Sequence, residues 1–388
     1  MPPIYLDYNA TTPIDPVVIE AMLPYLTTHF GNPSSAHEYG RTTHAAIEKA
    51  RGQVAALIGA HTDEIVFTGG GSEASNQAIK GPCLRRPRGF FTRLFDGRSP
   101  DSVHIITTAV EHPATIEPVA FLGRLGARVT ILPVDQYGCV DPDDVKRAIT
   151  PRTRLVTIMH SNNEVGTLMP IREIASICQE REILVHTDCA QSLGKVPVSV
   201  SEPGVDLLTI AGHKLYAPKG VGALYVRRGV RVESLIHGAG HENNRRAGTE
   251  NVPHVVGLGT AAEIAARLLP AATEKLKRLR DRLHEALKAG LGETIILNGH
   301  PEKRLPNTLN VNFVGQIGSD LLLKVPGIAA STGSACHEGR VTQSPVLCAM
   351  RVPPEVGQGA VRLTVGRYTT DDEVDRASVL LIEAVRGL

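Results

Sequence analysis

Four polar side chains and one glycine-rich segment stand out because each follows a short apolar run. They are the segment TGGGSEA at residues 68–74, His112, Asn163, Asp188 and Lys214. Glycines at the start of a helix expose backbone N–H groups that bind phosphate. A buried aspartate can keep a pyridine-type nitrogen protonated, and a desolvated lysine can lose its proton and form a Schiff base. A flat histidine ring can cover an aromatic ligand.

Predicted strands and helices alternate from about residue 50 to residue 230, and these elements would position the five groups. The predicted strands are residues 65–67, 103–106, 128–132, 155–159, 183–187, 206–210 and 222–226. Amphipathic segments lie between several of them, which favours a mostly parallel sheet covered by helices on both faces. Ligands bind at the carboxyl ends of the strands in such sheets, so we expect the five groups to converge at one edge.

Each of these features alone has an ordinary explanation, but the set is specific. A glycine-rich turn is usually only a turn, and a lone lysine such as Lys214 is usually a solvated surface residue. The segment 68–74 is not a Walker A motif, since no Gly-Lys-Ser/Thr follows it, and this disfavours ATP. A phosphate loop, an acid for a pyridinium nitrogen and a Schiff-base lysine together indicate pyridoxal 5′-phosphate.

The composition of the 388-residue chain is that of a globular protein, with 42% hydrophobic and 21% charged residues. A net charge of +1 gives no electrostatic reason to expect binding to nucleic acid or to an acidic membrane surface. We recognise no signal peptide, and no apolar run approaches the roughly 20 residues that span a bilayer. The six cysteines are far apart, without a CxxC pair, which predicts reduced thiols, a cytoplasmic location and no metal site.

The sequence pattern changes after residue 256. A helical stretch at 258–291, with a break near Pro270, is followed by alternating segments at 308–313 and 360–365 and by a last helix at 371–385. We therefore predict an α/β protein with a large domain and a smaller α+β domain. The predicted large domain comprises residues 15–256, and the small domain comprises residues 1–14 together with 257–388.

Ten short segments carry a recognisable pattern along almost the whole chain. They are YLDYNATTP (5–13), FGNPSS (30–35), VFTGGGSEASN (66–76), VEHPA (110–114), NNEVG (162–166), HTDCAQS (186–192), GHKLYAPKG (212–220), RRAGTEN (245–251), STGSACH (331–337) and VRLTVGR (361–367). In number, order and spacing they resemble the NifS/IscS cysteine desulfurases and the related selenocysteine lyases, which are fold-type-I pyridoxal-phosphate enzymes. The resemblance implies conversion of L-cysteine to L-alanine, with the sulfur passed to an acceptor.

The resemblance also implies how individual residues bind the cofactor. Lys214 matches the Schiff-base lysine, His112 the histidine stacked on the cofactor ring, and Asp188 the partner of the ring nitrogen. Thr249 resembles a residue that reaches the phosphate of the other subunit, which implies a homodimer. Further contacts to the cofactor or its phosphate are implied for Gly71, Ser72, Asn163, Gln191 and His213.

For the substrate side, the resemblance assigns Arg362 to the α-carboxylate, which an arginine can bind in a bidentate pair. Asn163, Asn32 and His37 match residues close to the substrate. A cysteine among small residues is usually a buried filler, but Cys336 in STGSACH matches the family's nucleophile. As a thiolate it would take the substrate sulfur, hold it as a persulfide and pass it to a protein acceptor whose identity the sequence does not reveal.

Two features depart from the expected pattern. Ala211 stands where relatives often have a phosphate-binding serine, so a hydroxyl contact to the cofactor is absent. The segment 85–100, RRPRGFFTRLFDGRSP, contains five arginines and three phenylalanines and interrupts the strand–helix rhythm. We interpret it as an inserted surface excursion, with a docking or RNA-binding patch as the alternative.

Selenocysteine lyase is the alternative function. The Cys336-His337 junction, QSPVL at residues 343–347 and VRLTVGR resemble that branch as well. Elimination of selenide depends less on a protein thiol, because a selenol is more acidic and leaves more readily. The presence of Cys336 favours the desulfurase, which would serve iron–sulfur assembly or thiolation. A non-catalytic scaffold on this fold is disfavoured because the lysine, aspartate and arginine are all present.

Overall fold

A seven-stranded sheet lies at the centre of the larger part of the computed structural model. The structure describes residues 2–84, 103–201, 204–332, 336–337, 340–341 and 343–387, with the backbone alone for 336–337 and 340–341. The strands are β1 (Ile4–Tyr5), β2 (Ile65–Thr68), β3 (His104–Thr108), β4 (Arg128–Leu132), β5 (Thr153–Thr157), β6 (Leu184–Asp188), β7 (Leu207–Ala211), β8 (Gly222–Val226), β9 (Ile295–Leu297), β10 (Thr308–Phe313), β11 (Ile328–Ala329), β12 (Cys336–His337), β13 (Arg340–Val341) and β14 (Ala360–Thr364).

The large sheet has the strand order β2-β8-β7-β6-β5-β3-β4. In it, β8 pairs antiparallel with both of its neighbours, whereas the other pairs are parallel. The predicted mostly parallel seven-stranded sheet is therefore confirmed. Smaller sheets pair β14-β10-β9, β1-β11 and β12-β13.

Helices cover the sheets. They are α1 (Pro16–Thr27), α2 (Glu38–Ile58), α3 (Gly71–Leu84), α4 (Pro113–Arg124), α5 (Pro142–Ala148), α6 (Ile171–Gln179), α7 (Val252–Leu291), α8 (Gly318–Lys324), α9 (Pro345–Ala349), α10 (Pro354–Gly357) and α11 (Asp371–Arg386). Local capping sets several of their first residues. Asp15 accepts a hydrogen bond from the Val17 N–H at 3.0 Å before Pro16, and Thr370 forms a capping box with Glu373.

Except for the edge strand β4, the strands of the large sheet are largely buried on both faces, as is usual in a parallel sheet covered on two sides. Consecutive side chains point to opposite faces, so Leu155 and Leu207 pack in one core cluster, while Val156 and Leu208 pack in the other. A third core lies in the C-terminal part and includes Ile4 and Leu6 from the N-terminus. The first residues of the chain thus fold against the last third of it.

Helix α7 is continuous over 40 residues, so the predicted break near Pro270 is wrong. Pro270 and Ala266 are exposed, and solvent can hydrate the carbonyl group that loses its N–H partner. The helix is held at both ends because Leu258 packs in the core beneath the large sheet, whereas Leu283 packs in the C-terminal core. Since α7 crosses residue 256 and contributes to both cores, the predicted domain boundary stays a prediction.

By length and apolar composition, the segment Val252–Thr294 is the one helix among the described residues that could cross a bilayer. However, 44% of its most apolar stretch is buried inside the protein, and its apolar residues belong to the two cores described above.

Candidate active site

A cavity of about 710 Å³ opens at the carboxyl ends of the large-sheet strands. The predicted site residues that line it are Gly71, Ser72, His112, Asn163, Asp188, Gln191, His213, Lys214 and Arg362. The convergence expected from the strand ends is therefore present in the fold. A second cavity, of about 510 Å³, is lined by residues such as His237 and Arg245 and includes none of the predicted site residues.

Strand ends deliver most of these side chains. Asp188 is the last residue of β6, and Ala211 ends β7 immediately before the short turn Gly212–Lys214. His112 follows β3 and caps α4, with its Nδ1 accepting the Ala114 N–H at 3.1 Å. The site is thus assembled from segments that are far apart in sequence but adjacent in the sheet.

The glycine segment passes very close to the ends of β7 and β8. A Cβ at Gly71 would lie 2.9 Å from the Ala211 Cβ, and one at Gly222 would lie 2.7 Å from the Gly70 carbonyl carbon. Only glycine permits these approaches without displacement. Gly71 begins α3, whose first-turn N–H groups have no partner within the helix, and the first residues of α3 line the cavity.

The Lys214 amine rests on the N-terminal segment of the chain. Its Nζ donates hydrogen bonds to the Asn9 carbonyl at 2.5 Å and to the Ala10 carbonyl at 2.7 Å. The pKa of Lys214 is lowered to about 8, chiefly by burial and then by the Arg362 charge, while Asp188 and Asp7 act in the opposite direction. About a tenth of this amine is therefore neutral, and nucleophilic, at pH 7, far more than for an ordinary lysine.

Asp188 is buried, and its Oδ1 accepts the Ala190 N–H at 2.8 Å. Burial raises its pKa, an effect opposed by that hydrogen bond and by His112 and Lys214. A carboxylate in this position is stabilised by a cation placed against it, which a protonated ring nitrogen would supply. The group therefore suits the pyridinium-binding role predicted from the sequence.

Two histidines line the cavity in their neutral form. Burial lowers the pKa of His112, with the Lys214 charge acting in the same direction and Asp188 against it. Because Nδ1 of His112 accepts a hydrogen bond, the neutral ring carries its proton on Nε2. Burial also lowers the pKa of His213 to about 4, and its Nδ1 lies 3.2 Å from the Thr11 hydroxyl.

Arg362, on β14, reaches the cavity from the C-terminal part of the fold. It forms a salt bridge with Asp7 at 2.8 Å, and its Nη1 donates to the Asn163 carbonyl at 3.0 Å. Its Nε is buried without a hydrogen-bond partner in the part of the chain that the structure describes. An unsatisfied donor on a buried guanidinium is expected to bind an anion such as a carboxylate.

Two residues that we did not predict individually connect the site. Asn9, within YLDYNATTP, donates from Nδ2 to the Asn163 carbonyl at 3.1 Å and to the Thr308 hydroxyl at 2.9 Å. Glu111, within VEHPA, accepts from the Thr108 hydroxyl at 2.7 Å and from the Met159 N–H at 3.0 Å. Asn9 lies in the motif YLDYNATTP, and Glu111 directly precedes His112 in the motif VEHPA. Membership of these motifs is the sequence feature that could have identified both residues.

Three predicted residues do not line this cavity. Thr249 is exposed, and the resemblance assigns it to the cavity of a second subunit. His37 caps α2 by accepting the Gly40 N–H at 3.3 Å, and exposed Asn32 accepts the Ser34 N–H at 2.9 Å. Their functional roles stay predictions.

Cys336 belongs to β12, where it pairs with Val341 of β13. Its side chain lies outside the described residues, and so does the arginine-rich segment 85–100. The predicted nucleophilic role of Cys336 and the interpretation of that segment therefore stay predictions.

The described residues fit pyridoxal phosphate. The start of α3 at Gly71 and Ser72 offers N–H groups for a phosphate, and Asp188 lies deep in the same cavity as the Lys214 amine. The methyl group of Ala211 faces the cavity where a hydroxyl would add a polar contact. The donor set thus supplies an anion site, a buried acid and a nucleophilic amine around one space.

A family model for aminotransferase class-V proteins matches residues 4–377. Cysteine desulfurase IscS of Dictyoglomus turgidum is 47% identical over 374 residues, which cover 96% of this chain and 92% of that protein. The solved structure of a NifS-like protein has a TM-score of 0.89 at 36% identity and covers 100% of both chains. A structure of SspA in complex with cysteine has a TM-score of 0.79 at 34% identity, covering 94% of this chain and 99% of that one. The chain therefore belongs to the aminotransferase class-V family and, within it, to the cysteine desulfurases of the NifS/IscS type.

Proposed function

We propose that the protein converts L-cysteine to L-alanine with pyridoxal 5′-phosphate bound through Lys214, and holds the sulfur as a persulfide on Cys336. The observation that carries the proposal is the convergence of Lys214, Asp188 and Arg362 on one cavity. Relatives named cysteine desulfurase over nearly the full length of the chain support the choice of substrate.

Residues of this chain would hold the cofactor at both ends. Gly71 and Ser72 at the start of α3 would bind the phosphate, and Asp188 would bind the ring nitrogen. His112, neutral and next to the cavity, would cover the ring. When bound, the cofactor supplies an electron sink for the bonds of the substrate α-carbon.

The remaining chemistry falls to side chains. Arg362 binds the substrate α-carboxylate, and the Lys214 amine, with its pKa near 8, accepts the α-proton and returns it. The Cys336 thiolate then attacks the substrate sulfur. An S–S bond forms, the C–S bond breaks with its electrons going to carbon, the β-carbon gains a proton, and L-alanine leaves.

Assembly and partners form part of the same proposal. Exposed Thr249 would complete the phosphate site of a second copy in a homodimer. The persulfide would pass to a protein acceptor in the cytoplasm, for iron–sulfur assembly or thiolation. The chemistry of the acceptor is that of a thiol that attacks the outer sulfur of the Cys336 persulfide.

The experiment follows L-alanine release and protein-bound sulfane sulfur when the cofactor-loaded protein is given L-cysteine. We expect Lys214→Ala to lose the visible absorbance of the lysine-linked cofactor together with activity. Cys336→Ser is expected to keep that absorbance and to lose desulfuration. Full turnover of L-cysteine by Cys336→Ser would overturn the role of the thiol.

A parallel assay with L-selenocysteine distinguishes the alternative activity. A desulfurase that depends on Cys336 loses L-cysteine turnover in Cys336→Ala. A selenocysteine lyase would instead turn over L-selenocysteine well in both the parent protein and this variant, and would use L-cysteine poorly.

A further inference from the structure

Lys195 is a buried lysine that the proposed reaction does not use. It lies in the turns that follow β6, is only 6% exposed and does not line the cavity. Its Nζ donates to the Gln191 Oε1 at 3.0 Å and makes a longer contact of 3.5 Å with the Asn9 Oδ1. Among the described residues it has no carboxylate salt-bridge partner.

A lysine in this environment is costly. Burial removes an ammonium group from water, and both charged groups that act on it, Lys214 and Arg362, are also cations. The pKa of Lys195 is accordingly lowered to about 7, chiefly by burial. A methionine or leucine would fill the same space without this cost, so the amine is expected to have a function.

The hydrogen bonds of Gln191 indicate that function. Its Oε1 accepts from Lys195, and its Nε2 donates to the Asn9 carbonyl at 2.9 Å. The Lys214 amine donates to the same carbonyl at 2.5 Å. A side-chain amide can turn over and exchange its oxygen and nitrogen, but here the reversed orientation would place two oxygens together and direct the Gln191 N–H groups at the Lys195 amine.

We propose that Lys195 is a positioning residue that fixes the amide orientation of Gln191 and, through the shared Asn9 carbonyl, aligns the Lys214 amine in the cavity. The inference rests on the proposed function in that Lys214 is taken to be the cofactor-linking lysine. Lys195 itself touches neither the cavity nor the reacting atoms.

The shared Asn9 carbonyl gives the positioning role a measurable signature. If Lys195 no longer holds the Gln191 amide, the hydrogen bond from Gln191 to that carbonyl weakens, and the carbonyl is left to stabilise the Lys214 ammonium group. A change of one hydrogen bond to a charged group corresponds to about 1 pKa unit. Removal of the amine is therefore expected to raise the pKa of Lys214.

The test compares Lys195→Met with the parent protein in two measurements. In the cofactor-free protein, the rate at which acetic anhydride modifies Lys214 is followed against pH by peptide mass spectrometry. In the cofactor-loaded protein, the visible absorbance is titrated with pH. We expect both midpoints to move upward by about 1 pH unit, the change that one hydrogen bond to a charged group produces. Lys195→Arg, which keeps a hydrogen-bond donor for the Gln191 Oε1, should leave the modification midpoint close to that of the parent.

Controls separate positioning from a general loss of structure. Lys275 is a half-buried lysine that donates to the Arg367 carbonyl at 2.8 Å, away from the cavity, so Lys275→Met should move neither midpoint. Thermal unfolding reports whether each variant folds, and Lys195→Gln replaces Lys195→Met if the latter does not. In a Gln191→Leu background, Lys195→Met should shift the modification midpoint by less than it does alone. The leucine lacks the amide that connects Lys195 to the Asn9 carbonyl by hydrogen bonds.

The outcomes distinguish the two proposals. Unchanged midpoints in a folded Lys195→Met or Lys195→Gln protein would overturn the inference on Lys195, and so would equal shifts with and without Gln191. If the parent protein does not link pyridoxal phosphate at Lys214, the proposed function fails, whatever the modification midpoints show. A linked cofactor together with shifted midpoints supports both.

Discussion

Arg362 on β14 forms a salt bridge with Asp7, which follows β1, with 2.8 Å between the guanidinium nitrogen and the carboxylate oxygen. The substrate-binding cation proposed here therefore has a counterion within the chain. The two partners act on Lys214 in opposite directions, since Arg362 lowers its pKa and Asp7 raises it.

Arg362→Gln is expected to raise the pKa of Lys214 above 8, and Asp7→Asn to lower it, as measured by the pH dependence of Lys214 modification. Arg362→Gln should also raise the KM for L-cysteine on the order of 100-fold, because a buried charge-assisted pair with the carboxylate is lost. Arg282→Gln, which breaks an exposed ion pair with Asp375, is the control. Shifts of the same sign from both site variants would contradict the arrangement.

Ala211→Ser is expected to increase the affinity for pyridoxal phosphate. Residue 211 ends β7 and faces the cavity, where a hydroxyl could donate to the phosphate. One added hydrogen bond to a charged group corresponds to about a tenfold decrease in the cofactor Kd or more. Ala211→Gly, which adds no hydroxyl, should not increase the affinity, and a serine variant with unchanged affinity would place the phosphate elsewhere.

Gly71→Ala is expected to destabilise the fold and weaken cofactor binding. The new methyl group would lie 2.9 Å from the Ala211 Cβ, so the start of α3 must move, at a cost of about 1–3 kcal/mol in the free energy of unfolding. The double variant Gly71→Ala/Ala211→Gly removes that contact and should recover part of the loss. Urea unfolding measures the stability, and equal losses in the single and double variants would exclude the contact as the cause.

Glu111→Gln tests a buried carboxyl group beside the site. Burial raises the pKa of Glu111 from 4.5 to about 8. The carboxyl group therefore adds to the free energy of unfolding in full below pH 4.5, where it is protonated in both the folded and the unfolded protein. This added stability is lost as the pH rises through about 8. Glutamine does not titrate. The free energy of unfolding of the variant minus that of the parent should therefore increase between about pH 5 and pH 8.

The measurement for Glu111→Gln is urea unfolding at several pH values in that interval. Glu263→Gln, on the exposed face of α7, provides the control and should show a difference that varies little with pH. A constant difference for Glu111→Gln would mean that the carboxyl group is ionised throughout.

Sequence patterns predicted the strands well where the bounds of a strand are set by residues that are close together in the sequence. The apolar runs at 128–132 and 222–226 match β4 and β8, and the run at 206–210 differs from β7 by one residue. The period of side-chain alternation and the turn residues that end each run act within a few positions. The convergence of Lys214 with Asp188 and His112 followed from the rule that ligands bind at strand ends.

Pro270 shows where a local rule fails. Proline interrupts helices because it lacks an N–H and crowds the preceding turn. In α7 both flanking halves pack against extended cores, and the proline lies on the exposed side, so tertiary packing outweighs the local penalty.

The sequence by itself thus determined the strand–helix alternation, the family and the reactive groups at the edge of the sheet. Only the tertiary structure decided which distant residues support them. Asn9 shares its carbonyl between Lys214 and Gln191, and Lys195 is buried behind them. These contacts depend on the docking of the N-terminal segment against strands more than 300 residues later, as in the Asn9–Thr364 hydrogen bond, which spans 355 positions. No periodicity or spacing encodes such a pairing, because it is set by the packing of complete elements.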